Sequence, residues 1–250
     1  MTRRYDFLLL PQFSHLGLAL ATEPLFLANW LSDRKLYRWA TASLDGAPVR
    51  TSSGQDVAVD IAADEIAETD GLFVLASFSP KKLSRDRRLL DLLRRHARHG
   101  MLIGGLETGS EALARAGLLD GYRAAIHWDN VDAFQEVFPR VSVSTRLFEL
   151  DRNRITSAGA IANLDMMLHL IAAQHGSALA DEIAQHLLRG PVREASEAQE
   201  PKTVGPDARI GQRLGEAVAL MQDRLEEPLS CADIADRLGL SLRQLERNFS

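Results

Sequence analysis

The sequence predicts an α/β fold, a parallel sheet sandwiched by helices and followed by a small all-helical segment, and three observations carry that reading. Residues 5–10, 71–77 and 101–103 are short, almost wholly apolar runs bounded by turn residues, the pattern of strands buried on both faces. These runs alternate with stretches of helical period at 15–31, 84–99 and 108–116, the alternation that builds parallel sheets. After a stretch rich in proline and glutamate, strand signals cease and residues 208–250 read as helix alone.

Taken in order, the run at 5–10 is closed by Pro11, and Leu16, Leu20, Leu27 and Leu31 recur at helix spacing over 15–31. Residues 36–44 read as a strand ending at the turn Asp45-Gly46, and 71–77 as the next strand. The helix expected over 84–99 stops at Gly100, after which 101–103 is again a buried strand. A helix over 108–116, a strand over 122–126, a hairpin of 143–150 with 154–157, and helices over 161–175 and 179–188 complete the first unit. Pro191, Pro201 and Pro206, interleaved with Glu194, Ser196, Glu197, Glu200 and Gly205, mark a mobile linker over 189–207. The expected organisation is therefore a domain at 1–188, a linker at 189–207 and a helical segment at 208–250.

The chain has 250 residues, 46% hydrophobic and 25% charged, which excludes disordered and fibrous classes. Its single cysteine, Cys231, cannot form an internal bridge, which points to a reducing, cytoplasmic setting. No run approaches the ~20 apolar residues of a membrane span. A net charge of -5 argues against coating nucleic acid through bulk electrostatics, though not against reading DNA with one local element.

Residues 229–250 supply such an element. Ser230 is an N-cap with Asp233 three residues on, Gly239 suits a tight turn, and Ser241 caps a second helix with Gln244 in the capping-box position. Leu240 can staple to Leu245, and Ile234, Ala235, Leu238, Leu240, Leu245 and Phe249 form one apolar face. Arg243, Gln244, Arg247 and Asn248 then face outward near the start of the second helix, where Ser241 lies, the side-chain types that reach base edges and phosphates. Spacing alone fits a solvated helical hairpin equally well. The string at 228–249, above all Ser-Leu-Arg-Gln-Leu-Glu-Arg-Asn-Phe at 241–249, resembles the first helix-turn-helix of AraC-type transcriptional regulators. That family carries two such motifs, so the resemblance implies a C-terminally truncated DNA-binding domain. With six Arg against seven Asp and Glu over 208–250, strong non-specific DNA affinity is not expected from this piece.

The first unit holds a second motif. Gly105-Leu-Glu107-Thr-Gly109 lies between a buried strand and a helix, the spacing of a nucleophile elbow, in which the middle residue projects from a sharp turn. With 22–25 (Thr-Glu-Pro-Leu), 116–121 (Ala-Gly-Leu-Leu-Asp-Gly), His127-Trp128 and 156–165, this stretch resembles the class I glutamine amidotransferase-like, or PfpI-like, domain that precedes AraC-type motifs in GlxA-like regulators. The resemblance implies a flavodoxin-like fold. It also implies that the enzymes' nucleophilic cysteine would stand at Glu107, its partner base at His127 and an acid touching the thiol at Glu23. A carboxylate cannot run thiol chemistry, so no catalysis and no cofactor are expected; the rival is a hydrolase or deglycase using water activated by Glu107 or His127.

The reading that follows is an effector pocket. Glu107 and Glu23 would supply negative charge, and Trp128 and Phe78 aromatic faces, a combination that holds ammonium or guanidinium groups. Regulators of this resemblance respond to amines such as glycine betaine, carnitine or arginine, which implies a small amine or amino-acid effector, promoter DNA and a homodimer as partners. Two plainer readings stand beside it: Glu107 as a cap bonding backbone N–H groups, and His127 as a wall residue. A third reading of the whole is a truncated dimerisation or ligand-binding product. The eight Lys and Arg of 81–99 read as a solvated helix face, His96 and His99 as no metal set, Met166 and Met167 as core, and Gly104-Gly105 as no dinucleotide fingerprint.

Overall fold

The computed structural model describes residues 1–78, 83–98, 100–190, 192–197, 199, 229–238 and 245, which fall into two compact units, Met1–Gln199 and Glu200–Ser250. In the first unit, β1 (Arg3–Leu9), α1 (His15–Ser32) and β2 (Tyr37–Ser43) are followed by three two-residue strands, β3 (Val49–Arg50), β4 (Asp56–Val57) and β5 (Ile61–Ala62). Next come β6 (Gly71–Ala76), α2 (Arg87–Ala97), β7 (Leu102–Glu107), α3 (Gly109–Arg115), β8 (Arg123–Ala125) and α4 (Val131–Val137). β9 (Ser142–Ser144), β10 (Phe148–Asp151), β11 (Arg154–Ser157), α5 (Ala162–His175) and α6 (Ser177–His186) complete it.

The main sheet runs β10-β11-β7-β6-β1-β2-β5, parallel throughout except for the β10–β11 hairpin. Alternation along the central strands sorts side chains to the two faces. Tyr5, Phe7 and Leu9 of β1 with Phe73 and Leu75 of β6 pack under α1, α5 and α6, whereas Leu8, Leu72, Val74 and Ile103 pack under α2, α3 and α4. Both faces are thus covered by helices, which is the predicted three-layer α/β architecture. A buried polar relay ties the first face together: Gln174 of α5 donates to the Tyr5 hydroxyl at 2.7 Å and accepts from the Tyr37 hydroxyl at 2.8 Å.

Three local expectations are corrected. The helix expected from residue 84 begins at Arg87, because Asp86 accepts from the N–H groups of Arg88 and Leu89 as its N-cap. The strand expected over 143–150 is two: Val143 pairs with Ala124 in a small parallel sheet, the Ser144 hydroxyl turns the chain by accepting from the Arg146 N–H, and β10 restarts at Phe148. The linker expected from residue 189 is, through Gln199, docked on the α/β unit: Arg189 and Arg193 both grip the buried Asp165, and Val192 and Ala195 pack on the core.

The second unit is described at α7 (Cys231–Arg237) and its flanks. Ser230 and Asp233 form the reciprocal capping box expected of them, and Ile234, Ala235 and Leu245 are buried together with Leu229 and Leu238 packed alongside. Gly239, Leu240, Ser241, Arg243, Gln244, Arg247, Asn248 and Phe249 lie outside the described residues. Among the described residues no helix is long and apolar enough to cross a membrane.

Phe73 is fully buried and its ring meets both Tyr5, at 5.4 Å edge-on, and Phe7, at 5.2 Å stacked. Phe73→Ala therefore removes the aromatic centre of one face and is expected to cost about 3–5 kcal/mol, lowering the melting temperature by on the order of 10 °C by calorimetry.

Candidate functional site

The site begins with backbone strain. Glu107 ends β7 with φ of 56°, a left-handed conformation uncommon outside glycine, and this turns its side chain off the end of the sheet. The flanking motif residues permit that turn. A Cβ on Gly109 would lie 2.1 Å from the Val74 carbonyl oxygen, and one on Gly105 would lie 2.7 Å from the Ser110 backbone, so both positions admit only hydrogen there. Thr108 closes the elbow by donating its N–H to the Ala76 carbonyl at 3.0 Å and its hydroxyl to the Ser77 carbonyl at 2.9 Å.

The Glu107 carboxyl lies between Gly17 of α1 and Gly159 of the loop after β11. A Cβ on Gly17 would fall 2.5 Å from its Oε1 and one on Gly159 2.4 Å from the Glu107 Cγ, and Gly159 also holds a φ of 106°. Burial raises the Glu107 pKa, opposed by donation from the Ser77 hydroxyl and the Ala160 N–H and by the nearby His127. The fully buried Asn163 side chain sits beside the same carboxyl, and among the described residues neither its oxygen nor its nitrogen has a partner of good hydrogen-bond geometry. Glu107 is consequently a strained, half-buried acid that resists ionisation, with a neutral amide at its back.

A cavity of about 240 Å³ opens on the other side of Glu107. His127 and Ile126 form one part of its wall, Phe134, Val137 and Phe138 an apolar part, and Arg85, Glu111 and Arg115 a charged part. Glu111 is already neutralised: Arg115 donates to its Oε1 from Nε at 2.9 Å and from Nη2 at 2.7 Å, and the Ser84 hydroxyl donates to the same atom at 3.1 Å. Arg85 also lines the cavity, exposed, and has no ion pair among the described residues. The lining thus presents both signs of charge against an apolar wall, a form suited to a small polar ligand.

Of the predicted pocket residues, the structure brings Glu107 and His127 together on this cavity. His127 also caps the following 3-10 turn, its Nδ1 accepting from the Asp129 N–H at 3.3 Å, which fits the wall reading as well. Trp128 lines an adjoining cavity of about 200 Å³ with Gly159, Ala160, Arg193 and Gln199. Phe78 is 73% exposed and lines neither cavity. Glu23 is corrected outright. The α1 residue that meets Glu107 is Gly17; six residues on is about 240° around a helix of 3.6 residues per turn, so Glu23 lies on the exposed face, away from the pocket. Sequence reading missed Arg85, hidden in a run of basic residues, and Asn163, which lies in the 156–165 stretch that carried the resemblance but was not singled out within it. The Glu111–Arg115 pair did carry a signal, the i,i+4 spacing of opposite charges on one helix.

A model of the DJ-1/PfpI family matches residues 22–173. The HTH-type transcriptional regulator CdhR of Pseudomonas aeruginosa is 41% identical over 249 residues, 100% of this chain and 74% of that protein. The HTH-type transcriptional regulator GbdR of the same species is 44% identical over 243 residues, 97% of this chain and 66% of that protein. This chain therefore spans about two thirds to three quarters of the length of these regulators. A crystal structure of an AraC family transcriptional regulator from Pseudomonas putida superposes with a TM-score of 0.68 at 33% identity, over 74% of this chain and 99% of the other.

The raised Glu107 pKa fixes the sign of a stability test. The folded chain holds that proton more tightly than the unfolded chain, so the burial penalty is fully present above the folded-state pKa and absent below the ordinary carboxylate value of about 4.3. Glu107→Gln is expected to melt higher than the parent at pH 7, with the gap closing as pH falls through the carboxylate range in a thermal-denaturation series.

Proposed function

Because the chain belongs to the DJ-1/PfpI family and its relatives include HTH-type transcriptional regulators, we propose that it is a transcription regulator whose α/β unit senses a small amine or amino acid and whose second unit contacts promoter DNA. One observation carries the effector part. The elbow that would present a nucleophile presents Glu107, half-buried on a cavity of about 240 Å³ whose lining also holds Arg85. In this reading Glu107 faces the ammonium or guanidinium end of the ligand, Arg85 its carboxylate, and Phe134 and Phe138 the carbon body. Binding of a cation favours the ionised acid, so the ligand itself supplies what burial withholds.

The same site argues against turnover. Glu107 is a weak nucleophile, and the hydroxyls beside it are engaged, Thr108 donating to the Ser77 carbonyl and Ser77 to the Glu107 carboxyl. The resemblance of Ser241, Arg243, Gln244, Arg247 and Asn248 to a recognition helix is the support for DNA binding. Self-association is supported by α1, whose exposed face carries Leu16, Phe26 and Trp30, at 55%, 50% and 58% exposure. We place the protein in the cytoplasm on the strength of that reading.

Two outcomes are expected. In a thermal-shift and calorimetry panel, glycine betaine, carnitine and arginine stabilise the chain, ligand at 100 times its Kd adding about 2.7 kcal/mol, and Glu107→Gln weakens binding by at least about tenfold. Choline or agmatine binding as tightly as its carboxylated counterpart would remove Arg85 from the reading, and no shift with any of them would remove the amine. Trp30→Asp combined with Phe26→Asp is expected to lower the mass measured by light scattering to that of one chain without changing ligand affinity.

A further inference from the structure

The stretch that joins the two units is fastened at both ends, by interactions of different kinds. At its start Arg189 Nη2 reaches Asp165 Oδ1 at 2.7 Å, and Arg193 reaches Oδ2 through Nη2 at 2.7 Å and Nε at 3.0 Å, with its backbone N–H a further 3.3 Å from Oδ1. Asp165 is fully buried at the first turn of α5, so this double ion pair cannot open without stranding a charge. In the middle, the Leu147 N–H donates to the Ala195 carbonyl at 3.2 Å. At its end the bonds among the described residues are neutral. Gln199 accepts from the Trp128 N–H at 2.7 Å and donates to the carbonyls of Ile126 at 2.8 Å and Arg146 at 2.7 Å.

Gln199 is the last residue of the first unit, and the loop it clasps is the wall of the effector cavity: Ile126 and His127 line that cavity, and Trp128 follows directly. Arg193 and Gln199 in turn line the adjoining cavity with His127, Gly159 and Ala160, the loop whose glycine packs on the Glu107 side chain. Glu107 therefore touches the strap by two short routes, through residues 126–128 and through 159–160.

We propose that residues 189–199 form a strap that reports occupancy of the Glu107 cavity to the chain entering the second unit, with Asp165 as its fixed anchor and Gln199 as its releasable clasp. This rests on the effector reading of the cavity. A ligand that displaces His127 shifts the Ile126 carbonyl and the Trp128 N–H, the two groups on either side of it that Gln199 holds at once. The Gln199 amide nitrogen also donates to the Arg146 carbonyl, so the side chain cannot follow the displaced loop and keep all three bonds, and the clasp opens while the ion pairs at Asp165 keep the start of the strap in place. The released length is the part adjoining residue 200.

The test needs no known ligand. Ala133→Phe puts bulk into the cavity of the full chain, and amide hydrogen exchange reads the clasp directly through the Trp128 N–H. The expected result is exchange at Trp128 faster by about tenfold than in the parent, with Arg193 changed by less than about twofold. Gln199→Ala should produce the same acceleration without filling, and the double variant no more than either single one. Unchanged Trp128 exchange in a folded Ala133→Phe chain overturns the strap, as does equal loosening of Trp128 and Arg193. Should Ala133→Phe fail to fold, Val137→Trp fills the same cavity from a half-exposed position and is read in the same way. Because the filling is steric, a negative result counts against the strap whether or not any amine binds, while the ligand panel tests the effector alone.

Discussion

The left-handed backbone at Glu107 is the constraint on which the site depends. A non-glycine residue held at φ 56° costs on the order of 1–3 kcal/mol, and such strain persists only where the surroundings leave no alternative. Here they leave none. β7 is locked between β6 and β11, α3 must start against the Val74 carbonyl with only Gly109 small enough to let it, and Thr108 is bonded back to both Ala76 and Ser77. The chain can pass from strand to helix in two residues only by pointing residue 107 off the end of the sheet, so the fold dictates the direction of that side chain before its chemistry matters.

Given that direction, a carboxyl behaves differently from a thiol. It is larger, and the space for it comes from Gly17 on one side and Gly159 on the other. It is also harder to bury as a charge, and the donors nearby, the Ser77 hydroxyl and Ala160 N–H, offset only part of the desolvation. On the proposed reading, the ionisation of this acid depends on what enters the cavity. That property serves recognition, since a ligand gains most from a group that water has not already satisfied.

Much of this was readable from the residues. The buried strands were legible as continuous apolar runs, the elbow as two glycines around residue 107, and the capping box at Ser230 and Asp233 as a local pattern, because each is decided by neighbours in sequence. What failed to show was decided by geometry between distant segments. Glu23 was drawn to the pocket by its resemblance context, yet the phase of α1 turns Gly17 inward and Glu23 outward. Phe78 was drawn in by its aromatic character alone, and it is exposed. Arg85 was lost in a basic run of which Arg87, Arg88, Arg94, Arg95 and Arg98 face solvent, and the 3-10 turn before Asp86 brings it to the cavity. The proline-rich composition of 189–207 suggested mobility, which local composition overstates when one buried aspartate, 24 and 28 positions earlier, waits for two arginines of that stretch.

Sensing and signalling place opposed demands on one fold. A regulator's ligand can shift the output only by the difference in its affinity for two arrangements, so some contact near the ligand must differ between them. The parallel sheet cannot be that contact, because its strands are buried on both faces and have one register. The loop at 126–128 can: it leaves the small β8–β9 sheet, borders the cavity, and is bonded by the neutral side chain of Gln199 as well as through the Ile126 N–H to Ser144. A rigid elbow that fixes Glu107, beside a wall that the strap fastens together with local bonds such as that of the Ile126 N–H to the Ser144 carbonyl, would divide the labour between a part that must not move and a part that is able to.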